Sequence, residues 1–191
     1  MTKLILVKSG STDWDKHDRF KGLVDVPANS EGMAFAGQAA TELVSQGINA
    51  VYSGCLSRCY DVARVIADGT GIKAKKVEAL NALNHGLWQG LCLDEVKKRY
   101  RRQFGLWRSS PFSTKPPNGE SMREAYDRVV SFIQKILDKH RGGTVCIVSH
   151  SIILSLIKCH FTCRDVAEIW DVFQAMQPWE VICMEEDGNV R

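Results

Sequence analysis

The sequence predicts an α/β protein: three layers, with a mainly parallel sheet flanked by helices. Two observations carry this. Short apolar runs alternate with longer stretches of helical periodicity along the chain. Several of the apolar runs also end abruptly in small polar loops, as strands do where a parallel sheet receives a ligand.

Leu4–Val7 is a buried strand that stops at Lys8-Ser9-Gly10. Glu31–Gln46 has apolar residues at helical spacing (Met33, Ala36, Ala40, Leu43) and ends at Gly47. Ala50–Tyr52 is a second short strand, followed by a helix from about Leu56 to Asp68 that Gly69 and Gly71 terminate. Lys75–Val77 is a third strand. Asp94–Phe104 reads as one very basic helix, and the prolines of Ser109–Asn118 mark a loop. Ser121 caps a long helix that runs to about His140 and closes at Gly142-Gly143. Thr144–Val148 is the clearest buried strand, with a helix from Ser149 to about Lys158 behind it. Asp165–Ala175 is a last helix and Val181–Met184 a last strand.

The 191 residues are read as one domain, 1–191, of ordinary globular composition: 45% hydrophobic, 25% charged, net charge +3. That charge does not argue for nucleic acid or a membrane surface. Leu4–Val7 is too short for a signal-peptide core, and no run is long enough to span a bilayer, so a cytoplasmic location is expected. The seven cysteines read as reduced core thiols. Cys55/Cys59 and Cys159/Cys163 have i,i+4 spacing, but packing explains them better than a metal.

Three strand ends carry polar loops: Lys8–Gly10, Ser53–Arg58 and Ser149–Ser151. If those strands are neighbours, Lys8, Arg58 and His150 meet. Two cations, an imidazole and helix N-terminal amides would then form an anion site, most naturally for phosphate.

The order of these pieces resembles the histidine phosphatase (phosphoglycerate mutase-like) superfamily across nearly the whole chain. Leu4–Thr12 stands where that family has its opening strand and Arg-His-Gly-Glu-Thr motif. Arg19-Phe20, Gly22, Asp25-Val26-Pro27, Asn29 and Gly32 resemble the stretch leading into its first helix. Tyr52-Ser53 through Arg58 resembles its second phosphate-binding loop, and Leu80 through Gly90 its Leu-x-Glu-x-x-x-Gly-x-Trp-Glu-Gly segment. Pro116–Ser121 resembles its Gly-Glu-Ser turn and Val148-Ser149-His150 its closing histidine motif. The Trp-x-Gly and Gly-Glu-Ser features are most similar to the small broad-specificity and α-ribazole phosphatase branch.

The resemblance implies a phosphoglycerate mutase-like fold and a nucleophilic histidine that carries the phosphoryl group. It implies neither metal nor organic cofactor. Here the nucleophile position is Ser9 and the preceding Arg is Lys8. The general-acid Glu position is Ala82, a phosphate-holding Asn becomes Asp15, and the Glu after Trp is Gln89. Arg58, His150, Gly10 and Thr12 are retained. Lys for Arg keeps the charge but loses the bidentate fork. A serine hydroxyl needs a base that the imidazole did not. Ala82 cannot protonate a leaving oxygen, a loss of roughly 10²–10⁴-fold in rate. Asp15 repels a bound phosphate unless Lys8 or Arg58 neutralises it.

The expected ligand set is therefore Lys8, Ser9, Asp15, Arg58, His150 and Ser151, around a phosphate or sulfate ion or a phosphorylated small molecule. A Lys8–Asp15 ion pair is the alternative that closes the site, and Glu120 is a candidate surrogate acid. Lys97–Arg108 is the most basic stretch, an ordinary solvated helix face or a contact for an acidic partner; nucleic acid is not expected there. Trp88, Trp170 and Trp179 fit core positions or a homodimer interface. Three readings remain open: a degenerate member that binds without turnover, which is preferred; an enzyme rebuilt around His150 or Ser9; and an interaction protein with a vestigial pocket.

Overall fold

The computed structural model describes residues 1–184. Its sheet has five strands in the order β3-β2-β4-β1-β5. They are β1 (Thr2–Lys8), β2 (Ile48–Ser53), β3 (Ala74–Lys76), β4 (Thr144–Ser149) and β5 (Trp179–Met184). β1, β2, β3 and β4 run parallel; β5 pairs antiparallel with β1 at the edge. Seven α-helices flank the sheet among the described residues: α1 (Ser30–Leu43), α2 (Ser57–Thr70), α3 (Leu93–Arg99), α4 (Arg101–Ser109), α5 (Met122–Lys139), α6 (Ser151–Phe161) and α7 (Ile169–Ala175).

The layering follows from the two-residue period of a strand. Ile5 and Val7 of β1, Val51 of β2 and Cys146 and Val148 of β4 point to one face, where they pack with Ala36, Leu43, Val62 and Ile66 of α1 and α2. Leu4, Leu6, Tyr52, Val145 and Ile147 point to the other, against α5, α6 and α7. β4 is buried at all six positions because it is the central strand, covered on both faces and paired on both edges. Among the described residues no helix is long and apolar enough to cross a membrane.

Local signals set the helix ends. Asn29 accepts from the Gly32 amide at the start of α1, and Ser121 forms a reciprocal cap with Glu124 at the start of α5. Gly71, at φ 70°, ends α2. The basic stretch 94–104 departs from expectation. It is two helices, broken at Tyr100 (φ −124°, ψ 31°), and the bend lets Val96 of α3 and Trp107 of α4 both enter the core around Trp88. Short 3-10 turns at Asp13–His17, Glu78–Leu80 and Gly86–Trp88 went unseen in the sequence, because a single turn has too few residues to show a period.

Candidate functional site

The carboxyl ends of β1, β4 and β2 lie side by side, since Lys8 pairs with Ser149 and Ser53 with Val148. Backbone bonds lock the loops that follow. The Ser9 amide donates to Ser149 O (2.9 Å), Gly10 to Arg58 O (2.9 Å) and Gly54 to Val148 O (3.2 Å). A side chain at Gly10 would collide with Ala28 Cβ at 2.8 Å, so the loop packs flat against the chain entering α1. A cavity of about 640 Å³ opens over these ends. Lys8, Ser9, Asp15, Ala82, His150 and Ser151 all line it, joined by Lys21 and His85.

Arg58 does not line it. Its fully buried guanidinium donates to Val24 O (2.8 Å) and Gly22 O (2.6 Å), and Nε has no partner. The loop it grips is held from the far side by Gln89, whose Oε1 accepts from the Leu23 amide (2.7 Å). Asp25 fastens the same loop to α2 through the Ser57 amide and hydroxyl. Gln89 and Arg58 thus form the scaffold behind the cavity.

The Lys8–Asp15 pair considered from the sequence is corrected by the structure. Lys8 Nζ donates to Met176 O (2.5 Å), and burial lowers its pKa against the opposing field of Glu180. Asp15 instead pairs with Lys21 and accepts from the Thr12 amide (2.7 Å) and hydroxyl (2.9 Å). Burial pushes the Asp15 carboxyl up, but the bonds from Lys21 and Thr12 outweigh it and hold the pKa below the usual value. The neutralising cation is therefore Lys21, only 8% exposed. It sits six residues downstream of Asp15, between Phe20 and Gly22, and no local pattern marks it as the partner.

His150 precedes α6 as its N-cap. Burial, then the charges of Lys21 and Arg58 and the nearby His85, hold its pKa well below 6.5. Its Nδ1 is enclosed without a hydrogen-bond partner. His85 is 5% exposed and its pKa is lowered to about 4 by burial. Both imidazoles are neutral at neutral pH. His85 stands three residues past Ala82 and stacks edge-on with Phe20 (5.0 Å) and Trp107 (5.8 Å). Ala82, 2% exposed, presents only a methyl group.

Burial pushes the Cys59 thiol up to about 11, against the pull of Arg58 and of the Ser9 hydroxyl. At neutral pH that group is a protonated thiol and cannot take a proton from a hydroxyl. Glu120 is not among the cavity residues. It is clamped by Arg128, which donates Nε to Oε1 (2.6 Å) and Nη2 to Oε2 (2.9 Å). The same guanidinium caps Ala79 O (2.6 Å), Asn81 O (3.0 Å) and Ala82 O (3.3 Å). With Ser149 Oγ donating to Leu80 O (2.7 Å), this network fixes the segment that carries Ala82 and His85.

The basic stretch also differs from a plain solvated face. Lys97 and Arg108 edge the cavity, and the Arg108 guanidinium lies 4.2 Å over the Trp170 ring. Trp170 lines the cavity, while Trp88 and Trp179 pack in the two cores. Among the described residues no cluster of His, Cys, Asp or Glu is arranged to hold a metal ion. The polar end thus offers Lys8, Lys21 with its partner Asp15, two neutral imidazoles, the serines Ser9, Ser11 and Ser151 and the first amides of α6, a donor set suited to an anion.

The profile of the histidine phosphatase superfamily (branch 1) matches residues 4–190. Phosphoserine phosphatase 1 of Hydrogenobacter thermophilus is 30% identical over 190 residues, covering 100% of this chain and 90% of its own. Among solved structures, Bacillus stearothermophilus YhfR superposes with a TM-score of 0.90 at 24% identity, covering 100% of this chain and 95% of that one. The α-ribazole phosphatase from Shigella flexneri superposes with a TM-score of 0.87 at 20% identity, covering 98% and 93%.

Proposed function

We propose, on the premise that this chain belongs to the histidine phosphatase superfamily, that its cavity binds a phosphate monoester and does not turn it over by the family's covalent route. The observation that carries this is one wall of the cavity, where Ser9 and Ala82 fill the positions at which the family pattern has its nucleophile and its acid. A serine hydroxyl attacks only once a base takes its proton, and the Cys59 thiol beside it, pushed up to about 11 by burial, is not one. Ala82 has no proton to give the departing oxygen. What remains is recognition. Lys8 supplies positive charge, the amides of α6 supply donors, Lys21 cancels the charge of Asp15, and neutral His150 supplies an imidazole. The names of the relatives, phosphoserine phosphatase and α-ribazole phosphatase, support a monoester as the ligand class.

A second reading has one observation in its favour. His150 is held neutral, and a neutral imidazole is a competent nucleophile. One experiment separates the two: hydrolysis of a reactive aryl phosphate by the pure wild-type chain and by His150→Ala, beside a thermal shift with phosphate. The binding reading expects background turnover in both proteins and a raised Tm in the wild type with phosphate. Turnover that His150→Ala abolishes establishes the rebuilt enzyme instead.

A further inference from the structure

We propose that a second, smaller notch, between α1 and the turn entering β5, is a binding site for a guanidinium group. It shares no lining residue with the cavity over the strand ends. It holds about 330 Å³, at the small end of the roughly 300–1,000 Å³ range of ligand sites, which suits one functional group on a short stem. Phe35, Gln38 and Glu42 line it from α1, and Pro178 and Trp179 from the other side.

Its chemistry is one carboxylate and two aromatic rings. Phe35 and Trp179 both pack against the core on the α1 and α2 side, which anchors the rings. The carboxylate is held as well: Glu42 Oε2 accepts from Trp179 Nε1 (3.1 Å) and Oε1 from Gln38 Nε2 (2.9 Å). Both donors are neutral, so the charge of Glu42 survives these bonds. A carboxylate has about four acceptor positions, and these bonds take only two of them. The two elements that build the notch bring no cation of their own, since neither α1 nor the stretch 165–184 contains a lysine or arginine.

A surface carboxylate alone holds a cation weakly. The rings change that, because an aromatic face attracts a cation. A guanidinium uses both features together: its plane stacks on a ring while its edge donates to a carboxylate, and it sheds water more readily than an ammonium. A divalent metal needs several oxygen ligands, and the notch has one carboxylate. The guanidinium can come from an arginine in a protein chain or from a free small molecule.

The test is titration of the full ¹⁵N-labelled chain, followed at the Trp179 indole N–H, whose resonance is assigned by its loss in Trp179→Phe. Ethylguanidinium should shift that resonance to saturation with a dissociation constant of about 1–10 mM. Ethylurea, flat but uncharged, should give no saturable shift, and ethylammonium should bind at least about threefold more weakly. Glu42→Gln should weaken ethylguanidinium binding at least about fivefold. Phe35→Leu, which keeps the reporter, should weaken it at least about twofold. A blocked Gly-Arg-Gly peptide distinguishes the sources: binding about tenfold tighter than ethylguanidinium supports a site for a chain arginine, and equal binding supports one for a free guanidine. Three results overturn the proposal: no saturable shift with ethylguanidinium, ethylurea or ethylammonium binding as tightly, or affinity that both substitutions leave unchanged.

Discussion

Two residues that the sequence pattern did not single out set the electrostatics of the cavity. Lys21 neutralises Asp15, and His85 is a neutral, nearly sealed imidazole beside the missing acid. His85 gives the chain a pH dependence of known sign. Its pKa moves from 6.5 when free to about 4 when folded. Between those values the unfolded chain binds more protons, so stability is full above about pH 6.5 and declines as the pH falls toward about 4. The His85 share of that decline is about 3 kcal/mol at most, by the usual conversion of a pKa shift. His85→Phe, which keeps the stacking on Phe20 and Trp107, should flatten this part of the profile; urea midpoints of the two proteins across that window measure it. The nucleophile and acid positions make a second prediction. If Ser9 and Ala82 alone disable the chemistry, the double substitution Ser9→His with Ala82→Glu should raise aryl phosphate hydrolysis at least ~10²-fold over wild type. Unchanged rates would place the defect elsewhere, with Lys8 the next position to restore.

At the scale of elements, the segment from Val77 to Gly90 has little regular structure, yet it delivers Ala82, His85 and Trp88 to the interior. It holds its shape because other elements satisfy its backbone. Arg128 of α5 caps three of its carbonyls, Ser149 of β4 a fourth, and Glu120 receives the Asn84 amide. Arg128→Leu should cost about 2–3 kcal/mol, because charge-assisted bonds are lost together and Glu120 is left half-paired. Chemical denaturation reads the cost, and hydrogen exchange should localise the added opening to this segment. Close packing governs the loop after β1 in the same way. A Cβ on Gly32 of α1 would sit 2.5 Å from Ser11 O and 2.7 Å from Ser11 N, so Gly32→Ala should displace the Ser9–Ser11 loop and weaken phosphate binding, measured by calorimetric titration with phosphate.

At the scale of the molecule, the strand order places β4 at the centre and buries its cysteine between two layers. Cys146 is fully buried with a pKa pushed up to about 12, Cys59 and Cys159 are also buried, and Cys163 is exposed. A thiol reagent should therefore label Cys163 at once in the native protein. It should reach Cys59, Cys146 and Cys159 only through global opening, at rates that track overall stability. Fast native labelling of Cys146 would be incompatible with a central β4. The seven cysteines then serve as built-in reporters of how the two cores open.

The sequence by itself determined the class, the strands and most helices, because periodicity, caps and apolar runs are local properties written over a few neighbouring residues. It also determined which residues stand at the strand ends, Lys8, Ser9 and His150 among them. Only the tertiary structure decided what those residues do. Asp15 could pair with Lys8 or with Lys21, and Arg58 could face a ligand or grip the carbonyls of Gly22 and Val24; the fold chose the latter of each. The break at Tyr100 and the aromatic wall from α4 and α7 were likewise invisible, since Trp107 and Trp170 lie 63 positions apart in the chain and meet at 4.7 Å. Such choices depend on which buried polar groups find partners and which rings find each other across distant elements. Those are energies of the packed state, absent from any local stretch of sequence.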